Sequence, residues 1–108
     1  DMPLLAELEL RVLLGVLRAG DVAVAVRVHE EIETRTRQKT SLGSIYITLD
    51  RLEKKGLLRS RLGEPTAARG GRARRHYALT APGLRKLREE CAGTQRMWAG
   101  LGLVPEDR

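Results

Sequence analysis

Between Arg59 and His76 the chain carries six arginines and a single acid, Glu64, and glycine and proline break the middle of that stretch. Gly63-Glu-Pro-Thr-Ala-Ala-Arg-Gly-Gly-Arg-Ala-Arg74 cannot bury its cations or sustain a regular hydrogen-bonded element, so it reads as an exposed loop. Its flanks are short and strand-like: Leu57 to Leu62 before it and Arg75 to Leu79 after it, each with alternating side chains. Two half-buried strands joined by a long basic loop make a wing. This segment holds +5 of the formal net charge of +6, while the other ninety residues carry 14 basic and 13 acidic side chains. A nearly neutral body with one cationic projection calls for a polyanionic partner.

The 108 residues, 42% of them hydrophobic, suffice for one domain with a buried core. One cysteine, Cys91, rules out an intramolecular disulfide and any multi-cysteine zinc site, and a reducing compartment fits. No apolar run is long enough to suggest a membrane span, and the start lacks the pattern of a signal peptide, so a cytoplasmic, nucleoid-associated protein is expected.

Four helices surround the hairpin. Leu4 to Ala19 has apolar residues at 4, 5, 8, 12, 13, 16 and 17, widened by Leu10 and Leu14 and closed by Gly20. A stripe this broad needs cover on two sides. The alternation in Val22-Ala-Val-Ala-Val-Arg-Val28 suits a strand, but Val24, Val28 and Ile32 recur at helical spacing. A second helix is therefore expected from Val22 or Ala23 to about Arg37, with Asp21 as N-cap. The third runs from Ser41, an N-cap, to Lys55, stopped by Gly56. Leu42, Ile45, Leu49 and Leu52 fall within about 80° of one another and form its buried stripe. Its opposite arc presents Gly43, Ser44, Ile47, Arg51 and Lys54, with Ser41 at the tip and Thr48 on the flank. Small, hydroxyl, methyl and cationic groups on one arc suit a DNA major groove, where bases and phosphates are both within reach. Thr80-Ala-Pro-Gly starts a fourth helix, in which Leu84, Leu87, Cys91, Thr94, Trp98 and Leu101 follow the 3-4 spacing of a helix–helix seam.

Helix, helix, helix, hairpin with basic loop, helix is the order of a winged helix-turn-helix, mainly α with a small β-hairpin. The DNA-binding part is expected over residues 3–80 and a C-terminal dimerisation helix over 80–104. Gly-x-x-Tyr-x-x-Leu-x-x-Leu-x-x-x-Gly-Leu from Gly43 to Leu57, followed by Tyr77-x-Leu-Thr80-x-x-Gly83, resembles the PadR-like transcriptional regulators from about Leu4 to Leu87. The resemblance implies a bacterial, homodimeric, DNA-binding repressor whose last helix packs on the first helix of its partner.

The residues expected at DNA are Ser41, Gly43, Ser44, Ile47 and Thr48 in the groove, Tyr46, Arg51 and Lys54 at phosphates, and Arg69, Arg72, Arg74 and Arg75 in the wing. Tyr46 lies about 40° from the buried stripe, so a core-edge position fits it equally well. Leu5, Leu8, Val12, Leu84, Leu87, Cys91, Trp98 and Leu101 are the expected dimer interface, and Trp98 is the candidate contact for a small-molecule effector. No cofactor and no metal site are expected. Catalysis is not expected, because His29 and His76 lie on different elements with no convergent polar set around them. The rival reading is a winged-helix adaptor that docks an acidic protein through its arginine loop. RNA is disfavoured by an aromatic content of 3%, too low to stack single-stranded bases.

Overall fold

The computed structural model describes residues 4–65 and 73–104. Helix α1 (Glu7–Ala19) leads through a 3-10 turn (Gly20–Val22) into α2 (Ala25–Thr36) and α3 (Leu42–Lys54). Strands β1 (Leu58–Leu62) and β2 (Arg75–Leu79) follow, and then α4 (Ala81–Trp98). The two strands pair antiparallel, with Leu58 opposite Leu79, Ser60 opposite Tyr77 and Leu62 opposite Arg75. This is the expected winged helix-turn-helix order, with helices dominating and one hairpin.

Local chemistry moves two helix starts. α1 begins at Glu7 rather than Leu4 because the Glu9 carboxylate folds back to accept the Ala6 N–H at 2.9 Å, while the Leu5 N–H is drawn to Glu90 Oε1 at 3.1 Å on α4. The second correction is at α2, which starts at Ala25, with Val24 and not Asp21 at the cap. Gly20–Val22 is used up in the 3-10 turn, and the Ala23 carbonyl accepts the Tyr77 N–H at 2.9 Å, holding Ala23 beside β2 in a tight turn (φ −78°, ψ 67°) closed by the Val24 N–H on the Val22 carbonyl at 2.8 Å. Of Val22–Val28 only Val24 is extended, at φ −94° and ψ 160°, so the strand-like alternation makes no strand and helical spacing governs from Ala25. Arg37, in left-handed conformation at φ 59°, ends α2.

The expected punctuation of the other helices holds. Ser41 Oγ accepts the Ser44 N–H at 3.1 Å, and Gly56 at φ 79° turns the chain into β1. Thr80 Oγ1 accepts the Gly83 N–H at 3.0 Å and donates to the Gly56 carbonyl at 2.7 Å, locking the start of α4 to the end of α3. Gly83 is required by proximity: a Cβ there would stand 2.0 Å from the Leu57 carbonyl oxygen.

Val12, Leu13 and Val16 of α1 meet Val28 and Ile32 of α2, Ile45, Leu49 and Leu52 of α3, Leu57 and Leu58 at the hairpin, and Leu87 of α4 in one core. Each fully buried leucine stabilises by roughly 1.5–3 kcal/mol. Val12 and Leu87, expected at a dimer interface, are corrected here. Both are buried within their own chain, because the first turns of α4 cover α1 from the same molecule. Past Cys91 the fourth helix leaves the core. Trp98 is exposed, and Leu101 lies beyond the helix end at Trp98, so the seam does not continue to it as regular helix. No helix among the described residues is long and apolar enough to cross a membrane.

Candidate nucleic-acid interface

Because Ile45, Leu49 and Leu52 anchor one side of α3, its other side stands free. Gly43, Ile47, Arg51 and Lys54 are exposed, Ile47 at 61%. Desolvating a β-branched side chain of that exposure against a partner would be favourable. Gly43 leaves open space where a side chain would stand, so a ligand can approach the backbone closely. Ser44 is half-buried, its hydroxyl 2.7 Å from that of exposed Ser41 at the tip of the helix. Lys54 pairs with Asp50 at 2.9 Å, but both are exposed, and such a pair yields readily to a stronger anion. Thr48 is a correction: it is 4% exposed and buried in the fold, because that flank of α3 is covered within its own chain. Its hydroxyl offers nothing to a groove.

Tyr46 is exposed rather than at the edge of the core. It lines a hollow of about 60 Å³ with Val24, Val26, Tyr77, Arg74 and Arg75. The two arginines of β2 and its approach therefore join the free arc of α3. Arg75 Nη1 donates to Ser60 Oγ at 3.0 Å, and that hydroxyl donates to Glu53 Oε2 at 2.6 Å, so this cation is steered from α3 itself. Arg69 and Arg72 lie outside the described residues. Tyr77 of β2 has its phenol pushed up, by burial first and then by the nearby Glu53 carboxylate, and it stays neutral at physiological pH.

Three polar ties fix the orientation of α3, and the sequence reading had singled out none of them. At its C-terminal end Lys55 Nζ donates to Glu9 Oε2 at 2.6 Å, and the Glu9 side chain is only 4% exposed. Burial raises the carboxyl of Glu9, but the hydrogen bonds from Lys55 and Ala6 and the charges of Lys55 and Arg51 outweigh it, leaving it below the ordinary value. At the turn before α3, Glu33 Oε2 accepts the Thr40 N–H at 2.9 Å, and His29 Nε2 lies 2.5 Å from the Thr40 carbonyl, to which it donates. Arg11 Nη1 reaches the Gln38 side-chain carbonyl at 2.9 Å, fastening the same turn to α1. The His29–Glu33 spacing of four on one helix face was the available signal. The partners of Glu9 and Arg11 lie too far along the chain for any pattern to reveal.

Of the residues expected at a partner chain, Leu5, Leu8, Leu84 and Cys91 are half-buried on α1 and α4, while Trp98 and Leu101 are exposed together with Leu4, Met97, Leu103 and Val104. Among the described residues no group of three or more His, Cys, Asp or Glu could hold a metal ion.

The model of the transcriptional regulator PadR-like family matches residues 13–89. No curated protein sequence matches the chain. Among solved structures, a PadR family transcriptional regulator from Eggerthella lenta is 27% identical, with 88% of this chain and 84% of that one covered at a TM-score of 0.63. A PadR-like transcriptional regulator from Bacillus cereus is 24% identical, with 92% and 93% covered at a TM-score of 0.69. The Orc1 protein of Aeropyrum pernix, solved in complex with DNA, is 20% identical over 85% of this chain and 26% of its own, at a TM-score of 0.63.

Proposed function

Because the chain belongs to the PadR-like family of transcriptional regulators, we propose that it is a homodimeric repressor that binds an inverted-repeat operator in double-stranded DNA. The observation that carries this is the free arc of α3, where exposed Ile47 and Gly43 sit between the hydroxyls of Ser41 and Ser44 and the cations Arg51 and Lys54. Ser41, Gly43, Ser44 and Ile47 meet base edges in the major groove. Tyr46, Arg51, Lys54, Arg74 and Arg75 hold phosphates, as do Arg69 and Arg72 of the wing.

Residues 3–80 form the DNA-binding unit and 80–104 the dimerisation helix. The exposed apolar end of α4, with Trp98 and Leu101, and the partly covered Leu5, Leu8, Leu84 and Cys91 join the two copies, and Trp98 is the contact for a small-molecule effector. The protein acts in the cytoplasm on the nucleoid.

Selection of duplexes from a random pool tests the reading: a palindromic consensus with half-sites about one helical turn apart is expected. Enrichment of no sequence, together with a flat dependence of duplex affinity on salt, refutes it and leaves an adaptor for acidic proteins. The six phosphate-bound cations of each protomer instead predict a log–log slope of about −5.

A further inference from the structure

Strand alternation divides the arginines of the hairpin between its two faces. Ser60 and Arg75 belong to the face that meets α3, whereas Arg59 and Arg61 project from the other, across from Ala78 and His76. That second face is not flat. With the Gly20–Asp21 turn, these four residues enclose an open hollow of about 380 Å³. Ala78 and Gly20 keep it open, and the ring of His76 walls one side, its Nδ1 3.2 Å from the Asp21 carbonyl.

Among the described residues no acidic side chain pairs with Arg59 or Arg61. Their positions two apart on one strand hold the two backbone origins roughly 6.5–7 Å apart, close enough for both guanidinium groups to converge on one tetrahedral anion. Two uncompensated cations at that spacing repel each other, and an anion between them removes the repulsion. Guanidinium forks match phosphate oxygens two at a time. Among the described residues that line the hollow Asp21 is the one acid, and it forms no ion pair with either arginine.

We propose that this hollow, formed by Arg59, Arg61 and His76 against the Gly20–Asp21 turn, is a binding site for a phosphate group, separate from the free arc of α3. The phosphate comes either from the DNA backbone, a source that rests on the DNA-binding reading above, or from a small phosphorylated molecule.

The test uses the full chain and its Arg59→Gln, Arg61→Gln double variant. Both side chains are exposed, so the fold should survive, which circular dichroism verifies. Pyrophosphate is titrated while the amide resonances of Ala78 and Gly20 are followed, and affinity for a bound duplex is measured across a salt series. If the DNA backbone is the source, the double variant loses up to about 1.8 in log–log slope per protomer. If a small phosphorylated molecule is the source, that slope is unchanged, and pyrophosphate shifts Ala78 and Gly20 saturably in the native chain but not in the variant. An Arg85→Gln, Arg88→Gln control on α4 retains the response. An unchanged slope together with no saturable, arginine-dependent shift overturns the proposal. Should the native chain bind no duplex, the DNA-binding reading falls, and the pyrophosphate titration alone decides the hollow.

Discussion

Replacing Glu9 by Gln isolates the tie between α1 and the end of α3. The carboxylate is buried, takes the Ala6 N–H on one oxygen and the Lys55 ammonium on the other. Glutamine keeps the first bond and loses the charge-assisted second, which is worth roughly 1.5–3 kcal/mol. Lys55 is 36% exposed and can turn to water, so no charge is left stranded and the cost stays near the lower end, about 2 kcal/mol. For a domain of this size that lowers Tm by roughly 8–10 °C.

Lys55→Ala does the opposite, leaving the buried carboxylate with only the Ala6 N–H and the charge of Arg51, and is expected to cost more than Glu9→Gln, up to about 3 kcal/mol at neutral pH. Acidity separates the two. The native Glu9 carboxyl is held below its ordinary 4.5, so its contribution is complete above that value and is lost as pH falls through the lower folded value. Thermal melts from pH 8 down to pH 3 should show a constant gap between the native chain and Glu9→Gln down to about pH 5, closing below it. With Lys55 gone the carboxyl rises instead, so that variant recovers part of its deficit in acid. Parallel curves for the native chain and Glu9→Gln throughout, or a Lys55→Ala variant no worse than Glu9→Gln at pH 7, would refute the reasoning.

Other outcomes follow from single contacts. Gly83→Ala forces a Cβ against the Leu57 carbonyl and should cost about 3 kcal/mol in urea unfolding, whereas an ordinary helical Gly→Ala change stabilises by roughly 0.5–1 kcal/mol. Ser41→Ala removes the N-cap of α3 for about 1 kcal/mol, and Thr80→Ala should cost more because it also releases the Gly56 carbonyl. Trp98→Ala with Leu101→Ala should shift the mass in light scattering towards the monomer without lowering core stability, since both side chains are exposed. An unchanged mass would remove these two from the proposed interface.

What the sequence disclosed was whatever is decided within a few residues. Ser41, Gly56 and Thr80 bound their helices as read, because caps and left-handed turns act locally. The start of α2 was hidden because it depends on Tyr77, more than fifty positions away, taking the Ala23 carbonyl. Helical period gave the angle of Thr48 but not that the fold would bury it. It likewise showed Val12 and Leu87 to be apolar without showing that they meet inside one chain. The face of the hairpin that carries Arg59 and Arg61 followed from alternation; the hollow beside them required the Gly20–Asp21 turn to be placed in space.

Repeating the duplex selection with Ile47→Ala and with Arg74→Ala, Arg75→Ala tests most directly whether α3 reads bases while the hairpin holds phosphates. The account predicts that Ile47→Ala changes the preferred base at a fixed position of each half-site, and that the arginine variant lowers affinity for all duplexes alike with the consensus intact. An unaltered consensus for Ile47→Ala, or one rewritten by the arginine changes, would contradict it.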